Sequence, residues 1–191
     1  MVNHGLDIGF LLDRQWHALR GEMETTKRPA LIALARALAD TGTPYAIIGG
    51  IAIQGHRAEP RTTLDIDLAV LSLDALPRTE LQTAGFRPRG RFAHSENWAG
   101  PEGVPVQFTD DPALAPAREQ AIEVELDDIR LRVIGRSDLL HEKLRAGSNP
   151  ACRRSRRLQD LADAQALLED TPALRTELSE AEWAVLDALP E

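Results

Sequence analysis

The sequence predicts an α+β protein in which a short sheet is flanked by helices and followed by a helical C-terminal segment. Three observations carry this reading. Helical periodicity marks both ends of the chain, with Leu31, Leu34, Ala35 and Leu38 at i, i+3, i+4 and i+7 near the start. Short apolar or alternating runs occupy the middle, at 45–48, 64–71, 86–109 and 121–134. Two of them carry candidate chemistry: Gly49-Gly50 follows the first, and Asp65-Ile66-Asp67 lies within the second.

The elements follow in order. Residues 6–20 and 29–40 read as helices, and Pro29 suits a first helical turn because its missing N–H has no partner there. Thr41-Gly42-Thr43-Pro44 ends the second helix and leads into a strand at 45–48, a helix-compatible segment at 51–57 and a strand at 64–71. A helix over 74–84 ends at Gly85, a C′ position. Residues 86–109 are strand-patterned, with two arms joined through Gly100-Pro101-Glu102-Gly103. A second hairpin, 121–126 with 129–134, turns at Asp127-Asp128, a residue type that bonds its own backbone in turns. Ser137 reads as the N-cap of the helix bearing Lys143, with Asp138 and Glu142 in its first turns. Helices at 151–169 and 179–188 complete the chain. The expected organisation is an N-terminal helical arm (1–28), a core (29–135) and a C-terminal helical segment packed on that core (136–191).

Composition narrows the function. A chain of 191 residues, 43% apolar, can bury a sizeable core. Aromatic residues are 4% and the net charge is −8, which argues against a stacking platform or a general affinity for polyanions. Cys152 is the only cysteine, so an intrachain disulfide is excluded and a reducing compartment is compatible. Arg36, Asp65 and Asp67 interrupt the apolar stretches, and the first thirteen residues lack a basic n-region. A cytoplasmic protein with no membrane partner is expected. The single cysteine and scattered histidines form no zinc pattern, and no Gly-x-Ser-x-Gly elbow supports serine hydrolysis. His56 and His94 receive no catalytic role.

The middle of the chain points to phosphate and metal chemistry. On a strand, Asp65 and Asp67 share one face while Leu64, Ile66 and Leu68 point into the core. Two carboxylates about 6 to 7 Å apart suit a hard divalent cation that keeps water and phosphate as its other ligands. Mg²⁺ is the expected cofactor, with Mn²⁺ as a substitute. Gly49 and Gly50, between a strand and a helix start, allow close backbone approach to a triphosphate.

Gly-Gly, a gap with Arg61 and Thr62 near its end, and then Asp-Ile-Asp resembles the nucleotidyltransferase superfamily that includes polymerase β. Lys143 in DLLHEKLRAG, and Asp160 and Asp163 in RRLQDLADAQALL, resemble later motifs of the AbiEii-type toxin nucleotidyltransferases. The likeness covers roughly 43–170. It implies the nucleotidyltransferase fold, with a short mixed sheet, and Mg²⁺-dependent transfer of a nucleoside monophosphate from an NTP. It also implies Asp65, Asp67, Lys143, Asp160 and Asp163 as catalytic residues, with Gly49, Gly50, Arg61, Thr62 and Lys143 binding the nucleotide. The acceptor, whether RNA, protein or small molecule, is left open, and an antitoxin is an implied partner.

One position departs from that pattern. A third carboxylate is expected on the neighbouring strand, and GVPVQFTDD puts Gln107 there, a neutral amide that can ligate a cation but cannot take a proton. The expected metal set is therefore Asp65, Asp67 and Gln107. A noncatalytic nucleotide-binding or partner-binding module is the alternative. The basic run Arg153, Arg154, Arg156 and Arg157 reads either as a solvated face or, with Lys143, as a phosphate clamp. Arg156, Asp160 and Asp163 share a helix face, as an ion-pair lattice or as part of a site.

Overall fold

A computed structural model gives the structure of residues 4–21 and 27–188. The parts of the expected N-terminal arm and C-terminal segment at 1–3, 22–26 and 189–191 lie outside the described residues. In chain order these residues form α1 (His4–Leu19), α2 (Arg28–Asp40), β1 (Tyr45–Ile48), α3 (Gly49–His56), β2 (Ile66–Val70), α4 (Arg78–Thr83), β3 (Arg87–Arg91), β4 (Ser95–Ala99), β5 (Pro105–Thr109), α5 (Ala115–Glu119), β6 (Ile122–Leu126), β7 (Ile129–Val133), α6 (Arg136–Ser148), α7 (Arg154–Asp170) and α8 (Glu180–Asp187).

The strands make one seven-stranded mixed sheet in the order β3-β4-β5-β2-β1-β7-β6. β1 and β2, buried throughout and apolar save for Asp67, form its centre and pair antiparallel, with Ile48 opposite Asp67. Parallel neighbours flank them: β5 lies beside β2 with Gln107 opposite Asp67, and β7 lies beside β1. Helices cover these central strands, as their burial requires. Trp98 and Phe108 meet edge to face inside the β4–β5 half, at 6.1 Å between ring centres. α1 lies close along α3, because Gly9 lacks a side chain where the Gln54 amide sits. α6 and α7 approach similarly, with Gly147 against Leu161.

Several elements differ from the sequence reading for identifiable reasons. β2 begins at Ile66, so Leu64 is 57% exposed instead of packed in the core, and Asp65 precedes the strand. Pro77 cannot continue a helix, and the expected 74–84 helix divides into a 3₁₀ turn, Leu73–Ala75, and the short α4. Gly85 closes α4 at φ +94°, the left-handed conformation expected of it. Residues 86–109 hold three strands instead of two arms, since Phe92–His94 makes a further turn. β3, with Pro88 and Gly90 at a register irregularity, is the edge strand, where a missing backbone donor costs nothing. Gly135, not Ser137, precedes α6, and the Ser137 hydroxyl instead donates to Glu177. The last helix is opened by a capping box of Ser179 with Glu182.

Candidate active site

The site forms where β1 ends and β2 begins. Gly49 adopts φ +63°, a conformation that glycine reaches without Cβ strain, and a β-carbon there would collide with Asp67 Oδ2. A β-carbon on Gly50 would collide with the Thr63 hydroxyl. The two glycines thus let α3 start directly against the acidic segment. Thr63 in turn donates to Asp65 Oδ1 at 3.1 Å. Thr62, the threonine expected at the nucleotide, is exposed, and its carbonyl accepts from Arg61. Thr63 is the residue whose hydroxyl reaches the acidic pair. The sequence signal for it was its position two residues before Asp65.

Asp67 is buried, and neither of its carboxylate oxygens has a hydrogen-bond partner among the described residues. Burial, with the charge of Asp65 beside it, pushes its pKa up to about 7, against the opposing pull of Arg156 and Lys143. A desolvated carboxylate with both oxygens free is costly unless a cation or proton completes it. Asp65 and Asp67 together offer the hard oxygen donors that Mg²⁺ or Mn²⁺ takes, so the residues fit that group. Gln107 sits opposite Asp67 on the neighbouring strand, exposed, with its amide nitrogen donating to Asn97 Oδ1 at 3.3 Å. Asp65 and Gln107 border one cleft of about 400 Å³, together with Arg89, Asn97 and Pro105. No group of three or more His, Cys, Asp or Glu with metal-site geometry occurs among the described residues.

The expected C-terminal residues form a buried ion network next to this pair. Lys143 Nζ donates to Asp160 Oδ1 at 2.7 Å and lies 3.5 Å from Asp163 Oδ2. Arg61 grips Asp163 with two bonds of 2.7 Å each, from Nε and Nη2. Burial opposes the Lys143 charge, but Glu142, Asp160 and Asp163 outweigh it and raise its pKa. Burial likewise works against ionised Asp163, yet Arg61 and Lys143 hold its pKa below the ordinary carboxylate value. Glu142, unassigned from sequence, is raised by burial, and its Oε2 lacks a partner among the described residues.

The basic run does not form one clamp with Lys143. Lys143 is 2% exposed, and Arg157 turns to donate to the Gly147 carbonyl at 3.0 Å. Arg156 is exposed and lies 3.8 Å from Asp160, on the face where it also acts on Asp67. His56 is buried against the Ile134 carbonyl at 2.7 Å, and His94 lies beside Asp110, so neither joins the site.

Comparison with known proteins bears on the family and the fold. The family model described as the nucleotidyl transferase AbiEii toxin of type IV toxin–antitoxin systems matches residues 32–188. The chain belongs to the AbiEii nucleotidyltransferase family. Among solved structures, an antigenic nucleotidyltransferase-like protein from Paracoccidioides brasiliensis is similar to this AbiEii-family chain. Its TM-score is 0.53 at 19% identity, covering 85% of this chain and 93% of that one. The antibiotic-resistance factor ANT(2'')-Ia gives 0.54 at 18% identity, covering 84% and 95%. JHP933 from Helicobacter pylori gives 0.55 at 15%, covering 82% and 69%. These likenesses show the nucleotidyltransferase fold. No curated protein sequence matches the chain. No helix among the described residues is long and apolar enough to cross a membrane.

Proposed function

We propose that this AbiEii-family protein transfers a nucleoside monophosphate from an NTP to an acceptor in a Mg²⁺-dependent reaction, as a cytoplasmic toxin-antitoxin component. The observation that carries the reading is Asp67: a buried carboxylate beside Asp65 with both oxygens unpartnered, at the point where a Gly-Gly turn begins a helix. Asp65 and Asp67 would hold the cation, with the Gln107 amide oxygen beside them. When bound, a divalent ion supplies positive charge for the triphosphate oxygens and the displacement at phosphorus.

The chain's own residues do the rest. In this reading, backbone N–H groups at the start of α3, freed of side chains at Gly49 and Gly50, receive phosphate oxygens. Arg156 is an exposed cation whose charge reaches Asp67, and it meets the triphosphate. Lys143, Asp160, Asp163 and Arg61 make the charged floor of the site. Lys143 acts there through the field it sets at Asp67, because its ammonium is already bound to Asp160. Gln107 takes no proton, so the acceptor hydroxyl is activated by charge and orientation, with no carboxylate base on β5.

Gln107 also favours a second reading, a nucleotide-binding module without transfer activity. Titration calorimetry of Mg²⁺ and NTP separates binding from its absence: the Asp65→Asn, Asp67→Asn double variant should lose metal-dependent NTP affinity while remaining folded. Unchanged affinity would exclude these aspartates as the metal site. Release of pyrophosphate then distinguishes transfer from binding.

A further inference from the structure

A second buried charge pair lies behind the candidate site, bonded to Thr63 and with Lys27 near enough to feel the charge of Asp65. Asp13 of α1 and Lys27, just before α2, are 3% and 4% exposed and bonded to each other. Both also bind the backbone of Thr63. Asp13 Oδ1 accepts from the Thr63 N–H at 3.2 Å, and Lys27 Nζ donates to the Thr63 carbonyl. The Thr63 side chain then donates to Asp65 Oδ1, while its hydroxyl is seated in the space left by Gly50.

Thr63 lies in the irregular stretch that precedes β2, where no sheet ladder fixes the backbone. A loop residue that must aim a ligand needs its peptide groups held from elsewhere. Burying an ion pair is an expensive way to add stability, since an apolar pair of similar volume does as well. Its bonds to one loop residue give it a use that apolar side chains could not supply.

We propose that Asp13 and Lys27 are positioning residues: a clasp, contributed from the N-terminal helix and the start of α2, that fixes Thr63 so that its hydroxyl orients Asp65 toward the cation. This rests on the proposed role of Asp65 as a metal ligand. It assigns α1 a function in the site, although no residue of α1 reaches the cleft. Supports behind a ligand typically change metal affinity by about ten- to a hundredfold.

The test uses the full-length chain and Mn²⁺ as the probe. Asp13→Leu with Lys27→Met replaces the pair by apolar residues and so avoids a lone buried charge; Thr63→Val removes the hydroxyl alone. Two quantities are measured, Mn²⁺ affinity and amide exchange in the peptide spanning 58–67, with melting temperature followed in parallel. The clasp predicts a folded Asp13→Leu, Lys27→Met variant with roughly tenfold weaker Mn²⁺ binding and faster exchange at 58–67. Adding Thr63→Val should weaken binding no further, because both changes break one link, and Thr63→Ser should restore the single variant. Wild-type affinity and exchange in the clasp variant would overturn the proposal, as would additive losses. If the wild type itself fails to bind Mn²⁺, the metal reading falls, and the exchange at 58–67 alone decides the clasp. If the clasp variant fails to fold, Thr63→Val alone decides: it should weaken Mn²⁺ binding roughly tenfold, Asp13→Asn with Lys27→Gln, which keeps polar partners for Thr63, should hold wild-type affinity and exchange, and wild-type affinity in Thr63→Val would overturn the proposal.

Discussion

Gly49 lies against the Asp67 carboxylate so closely that a β-carbon at residue 49 would strike Oδ2. The turn residue and the acid it faces depend on each other: the backbone takes φ +63° to begin α3, and the carboxylate fills the space a side chain would need. Gly49→Ala should therefore cost stability twice, through the collision and through roughly 1 kcal/mol of left-handed strain. Combining it with Asp67→Ala removes the worst of the collision, with Oδ2 and Cγ, and leaves the strain and a tight contact to the β-carbon. Melting curves of the two singles and the double should show the double less destabilised than the sum of the singles; additive losses would mean the contact is not tight.

The raised pKa of Asp67 gives a pH prediction. The folded state holds a proton on this acid between its ordinary value of 3.8 and about 7, where the unfolded chain has lost it. The contribution of Asp67 to stability is thus full below pH 4 and declines as pH rises through 7. Asp67→Asn imitates the protonated acid, so without divalent ions it should melt several degrees above wild type at pH 8 and near wild type at pH 4. Mg²⁺ at pH 8 should raise the wild-type melting temperature and leave the variant unmoved. A variant less stable than wild type at pH 8 without metal would contradict the burial argument.

Lys143 and Arg156 should separate by stability. Lys143→Met leaves Asp160 without its buried cation and is expected to cost about 3 kcal/mol or more. Arg156→Ala, at an exposed pair, should change stability by roughly 0.5 kcal/mol or less. It should nevertheless weaken NTP binding more than nucleoside binding, with an effect that shrinks as salt rises. Denaturant melts and calorimetry at two salt concentrations check both; equal losses for NTP and nucleoside would remove Arg156 from the phosphate site.

Gln107 faces the strand position of Asp67 across the β2–β5 pairing and borders the cleft beside Asp65. Gln107→Asp should increase Mg²⁺-dependent pyrophosphate release, since a third anion there strengthens metal binding and favours the ionised acceptor. A wild-type enzyme that is slowed by the change would place the activating group elsewhere.

Much of this arrangement was legible in the sequence because its signals are local. Gly49-Gly50, Asp65-x-Asp67 and the helical spacing of Asp160 and Asp163 each follow from one element's geometry, and the helices at 29–40 and 151–169 follow from periodicity. What the sequence obscured depends on contacts between distant segments. Leu64 looked like a core residue because alternation was extended one turn of the pleat too far. Lys143 looked like a free phosphate ligand because nothing local shows that Asp160 and Asp163 enclose it. The Asp13–Lys27 pair gave no signal, since its meaning lies in Thr63, some fifty and thirty-six residues away along the chain.

Nucleotidyl transfer at the Asp65–Asp67 pair releases pyrophosphate and labels the acceptor together. The most direct measurement follows Mg²⁺-dependent pyrophosphate release from each NTP, with the label of an α-phosphate-labelled NTP traced into RNA, protein or small-molecule acceptors. Wild type is compared with Asp65→Asn. Wild type should give stoichiometric pyrophosphate and labelled acceptor, and the variant neither. Equal release by both proteins, or NTP binding by wild type with no pyrophosphate from any acceptor, would contradict transfer at this pair.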